Sequence, residues 1–180
     1  MKIKQIYLTV LFFPFFVHAS IFNSSSIVHP KVHKNGMVVS QHYLASSVGA
    51  QILKDGGNAY DASIAVAFAL AVVLPRAGNI GGGGFMVMYD EKTDKTFSID
   101  YREKAPALAS KDMYLNDDGT VNKKRAREGI LSIGVPGTVY GMWEVHKKFG
   151  SLPWKTLLKP AIRLAEEGFI MSPFMVDALN

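Results

Sequence analysis

The chain contains no cysteine. That excludes disulfides, thiolate metal sites, a cysteine nucleophile and a lipid-modified N-terminal cysteine. Charge is sparse: charged residues make up 19% against 48% hydrophobic, which excludes the disordered and fibrous classes and describes a globular chain with a core to bury. Long apolar runs are missing too. The two that stand out, Ile6 to Val17 and Ala62 to Val73, each fall short of the ~20 residues needed to cross ~30 Å of hydrocarbon. The histidines beyond residue 19 (His29, His33, His42 and His146) lack metal-binding spacing, and no His-Glu-x-x-His occurs.

What is present begins with an export signal. Lys2 and Lys4 precede the run from Ile6 to Val17, and Val17-His18-Ala19 offers small residues where a signal peptidase reads. Residues 1–19 therefore read as a cleavable secretory signal, cut after Ala19. The alternative, a membrane anchor, is opposed by the shortness of the run and by Pro14 within it. The expected location is secreted, and periplasmic if the source is Gram-negative. Cleavage removes two lysines and no acid, leaving 18 basic and 15 acidic residues, so a formal charge of +5 becomes +3. The one basic cluster, Lys123-Lys124-Arg125 with Arg127, has no aromatic interleaving and reads as a solvated loop, with no nucleic-acid partner expected.

Residues 20–36 are polar and mixed and read as a flexible lead-in. A short strand is predicted over Met37–Ser40. Leu44, Val48 and Ile52, with Ala45, Gly49 and Leu53 beside them, have helical spacing that Asp55-Gly56-Gly57 ends. Asn58 is placed to cap a second helix, with Asp61 three residues on. From Ala62 to Val73 that helix is apolar on every side, which predicts burial on all faces, and Pro75-Arg76 stops it. Beyond Gly78–Gly84 the period becomes two. Phe85, Val87 and Tyr89 alternate with Met86 and Met88, and after a turn Phe97, Ile99 and Tyr101 alternate with polar neighbours: a β-hairpin. Helices are predicted over Thr138–Phe149 and Trp154–Glu167, the latter with an apolar face of Leu157, Leu158, Ala161, Ile162 and Ala165. A further helix starts at Ser172-Pro173. The order implies an α+β protein with helices layered on a sheet.

Several motifs dissolve on inspection. The run Gly78-Asn79-Ile80-Gly81-Gly82-Gly83-Gly84 lacks the Gly-Lys-Ser/Thr of a P-loop, has Met86 where a dinucleotide fingerprint needs glycine, and runs from helix to strand rather than strand to helix. Two readings remain. The glycines permit a sharp entry into a tightly packed strand, which the sequence favours, or they bring backbone close to a ligand. Ala45-Ser46-Ser47-Val48-Gly49 lacks the first glycine of a nucleophile elbow and lies inside a helix. Asn116-Asp117-Asp118-Gly119 lacks the acidic residues of a calcium loop and reads as a turn. Arg102 follows the second hairpin strand at a sheet end, where a guanidinium grips a carboxylate with two parallel hydrogen bonds. It also reads as an exposed arginine paired with Asp100 or Glu103.

Four linked blocks add to this. They are Gly56-Gly57-Asn58-Ala59-Tyr60-Asp61-Ala62, Ala77 to Met86, Asp100-Tyr101-Arg102-Glu103-Lys104-Ala105-Pro106, and Gly134-Val135-Pro136-Gly137-Thr138-Val139. In order and spacing they resemble the start of the large subunit of γ-glutamyltranspeptidases, over about Gly36 to the end. Related cephalosporin-type acylases share parts of them.

The resemblance implies part of the αββα sandwich of N-terminal-nucleophile hydrolases. In that family the precursor cuts itself into large and small subunits, and the small subunit's new N-terminal threonine is the nucleophile, with its own α-amino group as base. The γ-glutamyl group of glutathione passes to that threonine and then to water, an amino acid or a peptide. No metal or organic cofactor is implied. Carried over residue by residue, Arg102 matches the arginine that binds the substrate's α-carboxylate, and Glu103 is a second substrate-site candidate. No catalytic residue is assigned within the chain, since Thr93, Thr96, Thr120, Thr138 and Thr156 fall in turns, strands or helices. Family members are several times longer. Residues 37–180 are therefore expected to be an incomplete domain that partners the remainder of the precursor and its small subunit, acting on glutathione and other γ-glutamyl compounds. The alternative is a non-catalytic remnant or binding module.

Overall fold

The computed structural model describes residues 32–179. The expected signal, residues 1–19, and most of the expected lead-in lie outside that range. The chain divides after Lys34 into two units. Residues 32–34 of the first have no regular structure. The second, from Asn35, carries every helix and strand among the described residues.

Its elements run α1 (Tyr43–Lys54), α2 (Ala59–Val73), β1 (Phe85–Asp90), β2 (Lys95–Asp100), α3 (Thr138–Phe149), α4 (Trp154–Glu167) and α5 (Pro173–Leu179). Between β2 and α3 lies a long irregular excursion with one 3₁₀ turn, Ile130–Ser132. This is the predicted order, with one exception.

The exception is Met37–Ser40, which is not a strand. Among the described residues the sheet has only two strands, paired with each other, so this segment has no strand to pair with. It packs on helices instead. Val38 lies so close to α1 that a Cβ on Gly49 would come within 2.8 Å of it, and the Ser40 hydroxyl donates to the His42 carbonyl at 2.9 Å. His42 then caps α1, its Nδ1 accepting from Leu44 N–H at 3.3 Å. At the far end Gly56 takes φ 91, the left-handed conformation that lets the chain leave the helix.

Helix α2 is the hub of the fold, packing on α1, α3 and α4. Its start is a capping box. Asn58 Oδ1 accepts from Tyr60 and Asp61 N–H, while the Asp61 carboxylate accepts from Asn58 N–H at 3.1 Å. Ile64 and Ala65 are buried with Ile52 of α1, Met88 of β1, Met142 and Val145 of α3, and Leu157 of α4. A smaller cluster gathers Ala45, Ala69 and Val73, with Leu164 and Phe169 against it. Burial on all faces does not hold, however. Ser63 is exposed, and Val66, Phe68, Leu70 and Val72 are only half-buried. The α4 face is incomplete in the same way: Leu157 and Ala161 are buried, but Ile162 is 50% exposed. Phe68, Ala71 and Val72 of α2, Ala161, Ile162 and Ala165 of α4, and the glycine run Gly78–Gly82 line one open groove. A single hairpin is too small to cover both sides of so apolar a helix.

The hairpin is antiparallel with Phe85 opposite Asp100 and Asp90 opposite Lys95. Met86, Met88, Phe97 and Ile99 face the core, whereas Phe85, Val87 and Tyr89 point outward and are exposed.

Candidate functional site

The motif blocks that are remote in sequence meet at one corner, where β2 ends. Tyr101 N–H donates to the Gly84 carbonyl at 3.0 Å, continuing the ladder one residue past the hairpin. Further on, Lys104 exchanges backbone hydrogen bonds with Val135, at 3.2 and 2.8 Å. Residues 101–104 are thus held from both sides, by the glycine run and by Gly134–Gly137.

Contact there is at backbone distance. A Cβ on Gly83 would lie 2.7 Å from Arg102 Cα and from Glu103 N, and one on Gly84 would lie 2.8 Å from the Tyr101 ring. A Cβ on Gly137 would overlap the Tyr101 carbonyl oxygen. Of the two readings of the glycine run, close packing accounts for Gly78, Gly82, Gly83 and Gly84, while Gly81 meets nothing within 4 Å. The run itself is pinned by Asn79. Its Oδ1 accepts from Gly82 N–H at 3.0 Å and from the Thr138 hydroxyl at 2.6 Å, and the Gly82 carbonyl accepts from the N–H groups of Gly137 and Thr138. In the sequence Asn79 and Thr138 belong to two separate blocks and show no role. Their link spans 59 residues, and nothing local in the sequence signals it.

Arg102 sits at this corner with its N–H donating to the Asp100 carboxylate at 2.9 Å. Its side chain is 69% exposed and, among the described residues, its one charged partner is Glu103, Nε to Oε2 at 3.8 Å, with the Glu103 side chain 40% exposed. A pair this open and this long contributes at most about 1 kcal/mol. Neither Arg102 nor Glu103 lines any of the four best-formed concavities. The guanidinium thus has a base fixed through its main chain and a head open to solvent. Tyr101 beside it is half-buried, and that burial pushes its phenol above the ordinary tyrosine value.

Of the threonines, Thr93 hydrogen-bonds Asp90 in the hairpin turn, Thr120 bonds Asp118, Thr138 bonds Asn79, and Thr96 and Thr156 lie in β2 and α4. Among the described residues no group of three or more His, Asp or Glu is arranged to hold a metal ion.

Residues 45–180 match the family model described as gamma-glutamyltranspeptidase. The chain is 51% identical to a glutathione hydrolase proenzyme of Pseudomonas sp. (strain A14), over 81% of this chain and 25% of that protein. It superposes on the crystal structure of Helicobacter pylori gamma-glutamyltranspeptidase with TM-score 0.80 and 46% identity, covering 84% of this chain and 43% of the other. A cephalosporin acylase from Bacillus halodurans is also similar, with TM-score 0.67 and 31% identity over 87% of this chain and 29% of the acylase. The chain spans about a quarter of the length of the glutathione hydrolase proenzymes it matches.

Proposed function

The chain belongs to the γ-glutamyltranspeptidase family, with an α+β fold that is part of the N-terminal-nucleophile hydrolase sandwich, and from that premise we propose that it supplies the carboxylate-binding corner of a γ-glutamyl hydrolase and transferase. The observation that carries the reading is the convergence of two other motif blocks on the one that holds Arg102 and Glu103. A guanidinium anchored at its main chain and open at its head suits a donor arriving from outside the chain. Two parallel N–H groups take the α-carboxylate of the glutamyl donor. Glu103, at 3.8 Å, biases the guanidinium toward one orientation.

The reaction follows from that grip. With the α-carboxylate fixed, the γ-carbonyl is held at a set distance from it. A threonine hydroxyl from a partner segment of the same precursor adds to that carbonyl carbon while its own α-amino group takes the proton. The C–N bond breaks, the proton leaves with the amine, and a γ-glutamyl ester remains for water, an amino acid or a peptide to attack. Glutathione and other γ-glutamyl amides are the donors proposed. The nucleophile is not in this chain, and the purified chain should release no p-nitroaniline from γ-glutamyl-p-nitroanilide; clear turnover would refute its assignment to a partner.

In the full-length gene product, Arg102→Ala should raise KM for that donor about 10- to 100-fold, the value of one charge-assisted grip, and Arg102→Lys should lie between. An unchanged KM removes the role. We propose export as well: sequencing of the mature protein should begin at Ser20.

A second reading, a non-catalytic remnant or binding module, is favoured by the exposed outer face of the hairpin, where Phe85, Val87 and Tyr89 are each at least 60% open. A cooperative thermal melt of the isolated chain would count against a misfolded remnant.

A further inference from the structure

We propose that Asn79 and Thr138 are positioning residues for the Arg102 grip, acting through the glycine run without touching the donor; the inference rests on the carboxylate-binding reading of Arg102. Among the described residues the head of Arg102 meets no charged partner beyond the 3.8 Å contact with Glu103, so the place of the guanidinium is set largely by the backbone from which it grows. That backbone is set by Gly83, which lies against Arg102 Cα and Glu103 N. Gly83 is in turn placed by Gly82, whose two main-chain groups are both engaged: its N–H by Asn79 Oδ1 at 3.0 Å and its carbonyl by Gly137 N–H at 2.8 Å and Thr138 N–H at 3.1 Å.

Thr138 closes this circuit. It is the first residue of α3, and its neighbour Gly137 caps the helix with no side-chain hydrogen bond. A hydroxyl at a helix start ordinarily serves a cap or a local turn. This one instead crosses 59 residues to donate to Asn79 Oδ1 at 2.6 Å, and Thr138 is only 6% exposed. Gly82 N–H and the Thr138 hydroxyl both point donors at the same oxygen, which fixes the orientation of the Asn79 amide. The start of α3, the glycine run and the end of β2 are thereby locked in one geometry. A grip held chiefly through its backbone is as precise as the lock beneath it, and a small misplacement of a positioning group is felt at the reacting centre.

The test is a double-mutant cycle in the full-length gene product, read on two donors. One is γ-glutamyl-p-nitroanilide; the other is 4-aminobutyryl-p-nitroanilide, identical but for the missing α-carboxylate. Thr138→Val removes the hydroxyl and keeps the shape. It should raise KM for the first donor about three- to tenfold, with kcat changed less than about twofold and the second donor unaffected, as expected for one lost hydrogen bond felt only through the grip. Thr138→Ser should restore KM. In an Arg102→Ala background the Thr138→Val effect should vanish, because the group it positions is gone. Equal losses on both donors, or additivity with Arg102→Ala, would reduce Thr138 to a packing residue and overturn the inference. If Arg102→Ala raises KM and Thr138→Val does not, the inference falls alone; if Arg102→Ala has no effect, the carboxylate reading falls and takes the inference with it. Should Thr138→Val fail to fold, Asn79→Ala, at an exposed position, is read on the same two donors with the same criteria.

Discussion

Asp61 shows how much one side chain holds together. It is fully buried, and besides closing the cap of α2 its carboxylate accepts from Ser151 N–H at 3.1 Å, from the Ser151 hydroxyl and from Leu152 N–H at 3.3 Å. Truncation breaks all of these bonds at once, at exposed Ser151 and half-buried Leu152 alike, and leaves a void at a fully buried position. Asp61→Ala should therefore cost about 3 kcal/mol in a denaturant melt, with Asp61→Asn losing less because it keeps an acceptor. The Asn58-x-x-Asp61 cap is legible in the sequence, since capping is local chemistry. The bond to Ser151 is not, because a serine after a glycine carries no mark of what it will meet 90 residues away. Tyr101 gives a pH prediction at the same scale. Burial raises its phenol above the ordinary value of 10.0, so the folded state holds the proton more tightly than the unfolded chain. Its stabilising contribution is complete below about pH 10 and is lost as pH rises through the folded value. A series of alkaline melts should show a steeper fall for the native chain than for Tyr101→Phe; parallel curves would contradict this.

Among the elements, the glycine run tests itself. Gly83→Ala puts a methyl 2.7 Å from Arg102 Cα, whereas Gly81→Ala meets nothing within 4 Å. The first should lower the melting temperature by several degrees, in line with overpacking costs of about 1–3 kcal/mol, and the second should leave it nearly unchanged. The five helices and the hairpin are readable because period, caps and glycine stops are all written within a few residues of each other. Met37–Ser40 misleads because a strand is defined by its partner, and a short apolar run says nothing of who that is. The open sides of α2 and α4 are hidden for a related reason. An apolar face declares what it avoids, and only the packed structure tells how much of it is covered. Arg102 can be placed at a strand end from the hairpin pattern; its base locked by Asn79 and its head left free cannot.

At the scale of the whole molecule, exposed Phe85 and Val87, with Tyr89 beside them, make the outer face of the hairpin an apolar surface of 60% exposure or more at each position. Contiguous patches of this kind bind other apolar matter. The purified chain should enhance the fluorescence of a hydrophobic dye or self-associate on concentration. The triple variant Phe85→Thr, Val87→Thr and Tyr89→Thr should do so much less; an equal dye signal would locate the exposed surface elsewhere, with the α2–α4 groove next in line.

The bond between Asp61 and Ser151 also sets a clock on biosynthesis. When the first turn of α2 leaves the ribosome, its carboxylate has only its own cap to satisfy it. The residues that finish the job lie 90 positions further along, which at ~5–20 residues per second is on the order of ten seconds of translation. Until then the start of α2 stands without the tie that later joins it to the segment entering α4.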